Sequence, residues 1–188
     1  MNNLEEYKDK RNFKKTEEPE PKVKKGKKAS LIYVIQKHKA SNLHYDLRLE
    51  LNDVLKSWAI PKGPSTDPSQ KKLALPTEDH PLDYADFEGT IPEGEYGAGT
   101  VIVWDKGTYK NLKDNISLEE SLDKGKLEIF INGKKLKGAY VLLRTGKKSD
   151  KNSRWLFIKM KDKYADARRN PIETEPKSVI SNKEIEDL

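Results

Sequence analysis

The sequence predicts a mainly β chain: an antiparallel barrel or sandwich with little helix and polar termini. Three observations carry this. Residues Leu43 to Leu51 alternate strictly between apolar and polar types, the period of a strand packed on one face. A second such run, Val54–Ile60, follows after Asn52-Asp53, a two-residue hairpin turn. Further short runs rich in β-branched and aromatic residues recur along the chain between turn-forming residues.

In order, residues 1–29 form a polar segment with Glu17-Glu18-Pro19-Glu20-Pro21 and then lysines, too poor in apolar groups to fold alone. Leu4, Tyr7 and Phe13 are its anchors for docking. Residues 30–165 are expected to form the β body. Leu31–Gln36 reads as a strand and His38–Leu43 as a polar connection. In Leu43–Leu51 the apolar set Leu43, Tyr45, Leu47, Leu49 and Leu51 should face the core, while His44, Asp46 and Arg48 project together from the other face. The hairpin register puts the small residues Ser57 and Ala59 opposite Arg48 and Asp46, which leaves room for a ligand. Pro61-Lys62-Gly63-Pro64 stops that strand. A short strand at Leu73–Leu75 and a polar loop, Glu78 to Tyr84, bent at Pro81, come next. Strands are expected at Gly99–Trp104, Leu127–Ile131, Ala139–Leu143 and Trp155–Lys159, with Asn132-Gly133 as a hairpin signal. Ser117–Leu122 is the one helix, capped by Ser117 with Glu120 three residues on. Residues 166–188 form a polar tail along the surface.

With 188 residues, 36% of them charged and 34% hydrophobic, the chain has one modest core and a wet surface. The net charge of +6 favours polyanionic partners, although lysine runs such as Lys27-Lys28, Lys134-Lys135 and Lys147-Lys148 are also ordinary solvated faces. Without cysteine, any metal must be held by His, carboxylate or backbone oxygen. No apolar run reaches membrane-span length and no signal-peptide pattern opens the chain, so a cytoplasmic monomer is the expectation.

The three histidines, His38, His44 and His80, all fall in polar clusters. An imidazole, a carboxylate and a guanidinium on one strand face suit a divalent transition metal beside an anion. A polar outer face is equally the ordinary property of an antiparallel strand. The glycines of Pro92 to Gly99 complete no nucleotide-binding motif and lead into a strand, so tight turns account for them.

Four strings carry a resemblance. They are Gln36-Lys37-His38 through His44-Tyr45-Asp46-Leu47-Arg48-Leu49-Glu50, Leu55 through Pro64, Glu78-Asp79-His80-Pro81-Leu82-Asp83-Tyr84, and Gly89 through Gly99. Together they resemble the 3′-phosphoesterase module of bacterial DNA ligase D repair enzymes and its stand-alone relatives, over nearly the whole chain. The resemblance implies a compact β-barrel and a manganese-dependent enzyme acting on DNA or RNA-tailed DNA 3′ ends of a primer-template. Such an enzyme removes a 3′-terminal ribonucleoside and then the 3′-phosphate, leaving a 3′-hydroxyl for a DNA ligase or polymerase acting in trans. It further implies His38, His44 and Asp46 as metal ligands, and Arg48, His80 and Tyr84 at the scissile phosphate. Lys62 and Glu78 support these, and Arg11, Glu18 and Lys72 contact substrate. One departure stands out: where the family reads Arg-Asp-Phe, this chain has Arg11-Asn12-Phe13, which bears on ribonucleoside removal. The rival readings are a non-haem iron oxygenase barrel, its triad completed by His80, and a non-catalytic nucleic-acid-binding module.

Overall fold

The computed structural model describes residues 4–25, 30–150 and 153–188. The Lys27-Lys28 run and the expected boundary at Ala29 lie outside the described residues. The elements are α1 (Glu5–Asp9), β1 (Leu31–Lys39), β2 (Leu43–Leu51), β3 (Val54–Ile60), β4 (Lys72–Pro81), β5 (Gly89–Ile91), β6 (Gly99–Asn111), α2 (Leu118–Lys124), β7 (Lys126–Gly133), β8 (Lys137–Arg144), β9 (Trp155–Lys159) and α3 (Pro171–Thr174). A 3₁₀ turn covers Leu82–Asp86. The strands pair antiparallel in the order β1-β2-β3-β4-β9-β8-β7-β6, and β6 returns to β1. The sheet is thus a closed barrel of eight strands, with β5 added beside β6. Among the described residues, no helix is long and apolar enough to cross a membrane.

The barrel wall separates two apolar clusters. Its interior is filled from all eight strands, by Tyr33, Leu47, Trp58, Ala74, Trp104, Ile131, Tyr140 and Phe157 among others. The second cluster lies on the outer wall of β1, β3 and β6, where Val34, Leu55, Val101 and Val103 are covered by Tyr7 from α1 and by Leu82, Tyr84 and Phe87. The outer face of β2 is therefore not the solvated face its alternation predicts: Asp46 is 6% exposed and Arg48 4%. The N-terminal segment docks chiefly through Tyr7, fully buried, whose hydroxyl donates to the Pro19 carbonyl at 2.6 Å. Phe13 packs on the Tyr7 ring, centroids 5.8 Å apart.

Local chemistry explains where elements match and where they differ. Asn52 and Asp53 both take positive φ, 53° and 63°, as a tight β2–β3 turn demands. Asp46 pairs with Ala59 and Arg48 with Ser57, the register expected. The capping box of Ser117 and Glu120 opens α2. Leu43, expected in the core, is instead 47% exposed at the barrel rim. The polar connection at His38 is strand, because Lys37, His38 and Lys39 pair with both β2 and β6. The expected loop at Glu78–His80 is likewise strand. Between Leu55 and Ser57 the β3–β4 register slips, with His80 opposite Leu55 and Thr77 opposite Ser57. That bulge breaks the alternation by which a strand is read. The β7–β8 hairpin exists, but Asn132 is still paired, with Lys137, so the turn lies beyond Asn132-Gly133. A side chain at Gly133 would run into the Asp105 carboxylate, which accepts the backbone N–H groups of Lys135 and Leu136 and holds that turn.

Candidate metal and phosphate site

The site sits on the outer barrel wall, in a cavity of about 250 Å³ roofed by the N-terminal segment. His38 on β1 pairs directly across from His44 on β2, and Asp46 follows two residues along the same face. His38 Nδ1 lies 3.6 Å and His44 Nε2 3.4 Å from Asp46 Oδ2, and one donor atom from each residue falls within 4.8 Å of the others. Donors bound at about 2.1 Å to one ion stand roughly 3 to 3.5 Å apart, so the cluster is slightly open for a shared metal. Each imidazole is aimed by its other nitrogen. His38 Nε2–H donates to the Gly97 carbonyl at 2.8 Å and His44 Nδ1–H to the Asn42 carbonyl at 3.0 Å. Backbone anchors of this kind orient metal-binding histidines. Gly97 takes a positive φ of 75°, so the turn that delivers its carbonyl favours glycine. Two imidazoles and a carboxylate thus fit a borderline divalent ion.

Beside them Arg48 is locked. Nε donates to Gln36 Oε1 at 2.7 Å, Nη1 to Ser57 Oγ at 2.9 Å, and Nη2 stands 3.6 Å from Asp46 Oδ2. Gln36 is itself held, its amide donating to the carbonyls of Tyr84 and Phe87. A second guanidinium, Arg11, enters from the N-terminal segment. It donates to Glu18 at 3.0 Å and to Glu78 at 3.1 Å, and stacks on the Tyr7 ring at 3.9 Å. Tyr84 donates its hydroxyl to Glu18 at 2.9 Å, and Thr16 donates to the other Glu18 oxygen. Arg48, His80, Tyr84, Glu78, Arg11 and Glu18 are thus brought together with the triad. Lys62, in the turn after β3, and Lys72, at the start of β4, do not line the cavity. Asn12 faces solvent and accepts the Lys14 N–H, a local turn contact that an aspartate would also make. Gln36 and Ser57, which position Arg48, carried no chemical signal in the sequence beyond their place on the same strand faces.

Burial opposes the charge on Asp46, yet hydrogen bonds from His38 and His44 and the Arg48 charge hold its carboxyl well below the usual range. Burial likewise opposes a proton on His44, but Asp46 outweighs it and raises the imidazole. His80 is the reverse. Burial first, then Arg48 and Arg11, push it well below its ordinary 6.5. His80 Nδ1 lies 2.9 Å from the Glu78 carbonyl and 3.1 Å from Arg48 Nη1, and Nε2 lies 3.3 Å from Arg11 Nη2. Both ring nitrogens are thus occupied, each beside an arginine, and His38, not His80, completes the donor set with His44 and Asp46. The triad of the oxygenase reading, with His80 as its third member, is therefore not the one these residues assemble. Burial first, and Glu18 next, raise the Tyr84 hydroxyl far above 10, so it remains a donor.

The depressed His80 has a stability consequence. Below its ordinary 6.5 the unfolded chain takes up this proton and the folded chain does not, so stability is lost as pH falls through that value. His80→Asn abolishes the effect, while the opposite contribution of His44 is common to both proteins. In urea melts with chelator between pH 7 and 5, the parent should lose up to about 1.4 kcal/mol per pH unit relative to the variant. Parallel profiles would show that folded His80 is protonated.

A closed β-barrel carrying two imidazoles and a carboxylate beside two buried arginines offers a donor set of the kind that suits a divalent ion, next to cations of the kind that suit an anion. Comparison with known families sharpens this. Residues 36–144 match the model of the DNA ligase D 3′-phosphoesterase domain. The chain is 50% identical over 187 residues, 97% of its length, to the multifunctional non-homologous end joining protein LigD of Pseudomonas aeruginosa. It is 43% identical over 85% of its length to the LigD non-homologous end joining DNA repair protein of Mycobacterium tuberculosis. It spans about a fifth of those relatives, 22% and 20% of their lengths. The chain belongs to the DNA ligase D 3′-phosphoesterase domain family.

Proposed function

We propose that this chain is a metal-dependent phosphoesterase that heals DNA 3′ ends during end joining. In this reading it removes a 3′-terminal ribonucleoside and then the 3′-phosphate, with manganese as the ion and the cytoplasm as its setting, working as a monomer. A DNA ligase or polymerase acting in trans would use the resulting 3′-hydroxyl. The observation that carries this is the orientation of His38, His44 and Asp46 toward one point, beside an arginine fixed at three of its nitrogens. A bound divalent ion would polarise a phosphoryl oxygen and lower the pKa of water.

The chain's own groups supply the rest. Arg48 binds a second phosphoryl oxygen without reorganising, since its geometry is already set. Arg11 is held by two carboxylates and reaches the same cavity from the N-terminal roof. A phosphate between Arg48 and Arg11 offsets the two charges that, after burial, oppose a proton on His80. Substrate binding therefore favours a proton on His80, which suits it as the acid for the departing oxygen. Arg11 and Glu18 belong to the roof, on the side that a bulkier diester end must fill. They are positioning groups that a bare 3′-phosphate needs less.

Parallel time courses on a primer-template ending in a 3′-ribonucleoside and one ending in a 3′-phosphate test the reading, with and without manganese. Both ends should be processed only with metal. Glu18→Gln should slow ribonucleoside removal on the order of tenfold more than phosphate removal. Equal slowing of both would reduce Glu18 to a support of the fold. Salt-sensitive DNA binding with no metal-dependent product would instead favour a non-catalytic binding module.

A further inference from the structure

Tyr96 is the sole aromatic among the exposed large hydrophobic side chains of the described residues, at 46% exposure. It lies in the glycine-rich turn between β5 and β6 and lines the cavity that holds the donor triad. Its ring is not loose. Lys10 Nζ stands 4.8 Å and the Arg11 guanidinium 5.3 Å from its centroid, and Lys10 also donates to its hydroxyl at 3.4 Å. The next residue, Gly97, supplies the carbonyl that orients His38. A large apolar ring left exposed and held in place by cations beside this cavity has no structural use in the barrel core. It has the properties of a stacking platform: a π-face, a fixed orientation and adjacent positive charge.

We propose that Tyr96 is the subsite for the base of the departing terminal nucleoside, with Lys10, paired with Glu6 at 2.6 Å and Glu78 at 3.5 Å, holding the ring in place. The proposal rests on the 3′-end reading above and adds to it the part of the substrate that the triad and arginines do not touch. Stacking on an aromatic face is tolerant of base identity. The site should therefore accept all four terminal nucleosides and discriminate against an end that lacks a base.

Two measurements test it. In the first, steady-state kinetics with manganese compare the parent, Tyr96→Phe and Tyr96→Ala on three ends: a base-bearing 3′-ribonucleoside, the same end with an abasic ribose, and a 3′-phosphate. Tyr96→Ala should raise KM on the base-bearing end about tenfold or more, with little change in kcat. That penalty should shrink several-fold on the abasic and phosphate ends, and Tyr96→Phe should restore the parent's KM. An equal penalty on all three ends would make Tyr96 a support for the Gly97 turn and overturn the proposal. In the second, a primer-template ending in 2-aminopurine is added to the protein in chelator, where no turnover occurs. The parent and Tyr96→Phe should quench the fluorescence at saturation and Tyr96→Ala should not. Equal quenching by all three overturns the proposal without reference to catalysis. Failure of the 3′-end reading itself shows separately, as no metal-dependent product from the parent on any end.

Discussion

Replacing His44 by alanine is expected to abolish metal-dependent release of 3′-phosphate while leaving the barrel folded. The side chain is only half-buried, at the edge of the cavity, and its ring hydrogen bond goes to a backbone carbonyl two residues away. Its removal therefore opens no core cavity, and the buried Asp46 carboxylate, although it loses His44 Nε2 at 3.4 Å, keeps His38 and Arg48 at 3.6 Å. Loss of a donor from a three-residue set should exceed the roughly 10- to 100-fold cost of losing a residue that only orients a ligand. Asp46→Asn is the complementary variant. It keeps the shape but removes the carboxylate that His38, His44 and Arg48 all approach within 3.6 Å. Because folding holds that carboxyl well below its usual range, Asp46 adds stability at neutral pH that fades as pH falls through the carboxylate range. Asp46→Asn should accordingly melt lower than the parent at pH 7 and bind manganese far more weakly by calorimetry. Full activity of His44→Ala in excess chelator would refute the metal assignment.

Arg48→Lys should cost on the order of 10²-fold or more in turnover with metal affinity nearly unchanged. The guanidinium divides its nitrogens among Gln36, Ser57 and the Asp46 side of the cavity. An ammonium has one nitrogen and cannot satisfy Gln36 and Ser57 while also clamping a phosphoryl oxygen. Its position would also be set by a flexible stem rather than by the Gln36 anchor. Turnover on a 3′-phosphate end and a manganese titration on the same preparation decide the matter. Equal rates for variant and parent would place Arg48 outside the reaction.

Much of this arrangement was legible in the sequence where local rules and the final fold agree. The alternation of Leu43 to Leu51 and the Asn52-Asp53 turn fix which β2 and β3 side chains share a face, and so place His44, Asp46, Arg48, Ser57 and Ala59 together. His38 was reached as a candidate ligand through resemblance, while its strand went unseen because Lys37-His38-Lys39 lacks apolar alternation and is held by two neighbouring strands. The β4 bulge hid His80 in the same way. Burial was the larger surprise. Nothing in the period of a strand reveals that its polar face will be roofed by a distant segment, and Tyr7, although an expected docking anchor, carries no sign of where it docks. Lys62 and Lys72, named from the resemblance, stand outside the cavity lining, since residues near a motif in the chain need not face its cavity.

The position of the donors on the outer wall, under a roof made by α1 and the residues after it, separates two quantities that usually move together. The barrel interior is complete without residues 4–25, whereas the cavity is not. The roof is attached largely by the Tyr7 ring and by the Arg11 pairs with Glu18 and Glu78. Its release is expected as a local opening with a free energy of its own, below that of the whole barrel. Limited proteolysis within residues 10–25 should therefore silence the protein long before the barrel yields. The working temperature range is set by the grip on that strap, and a thermal melt of the strands would overstate it.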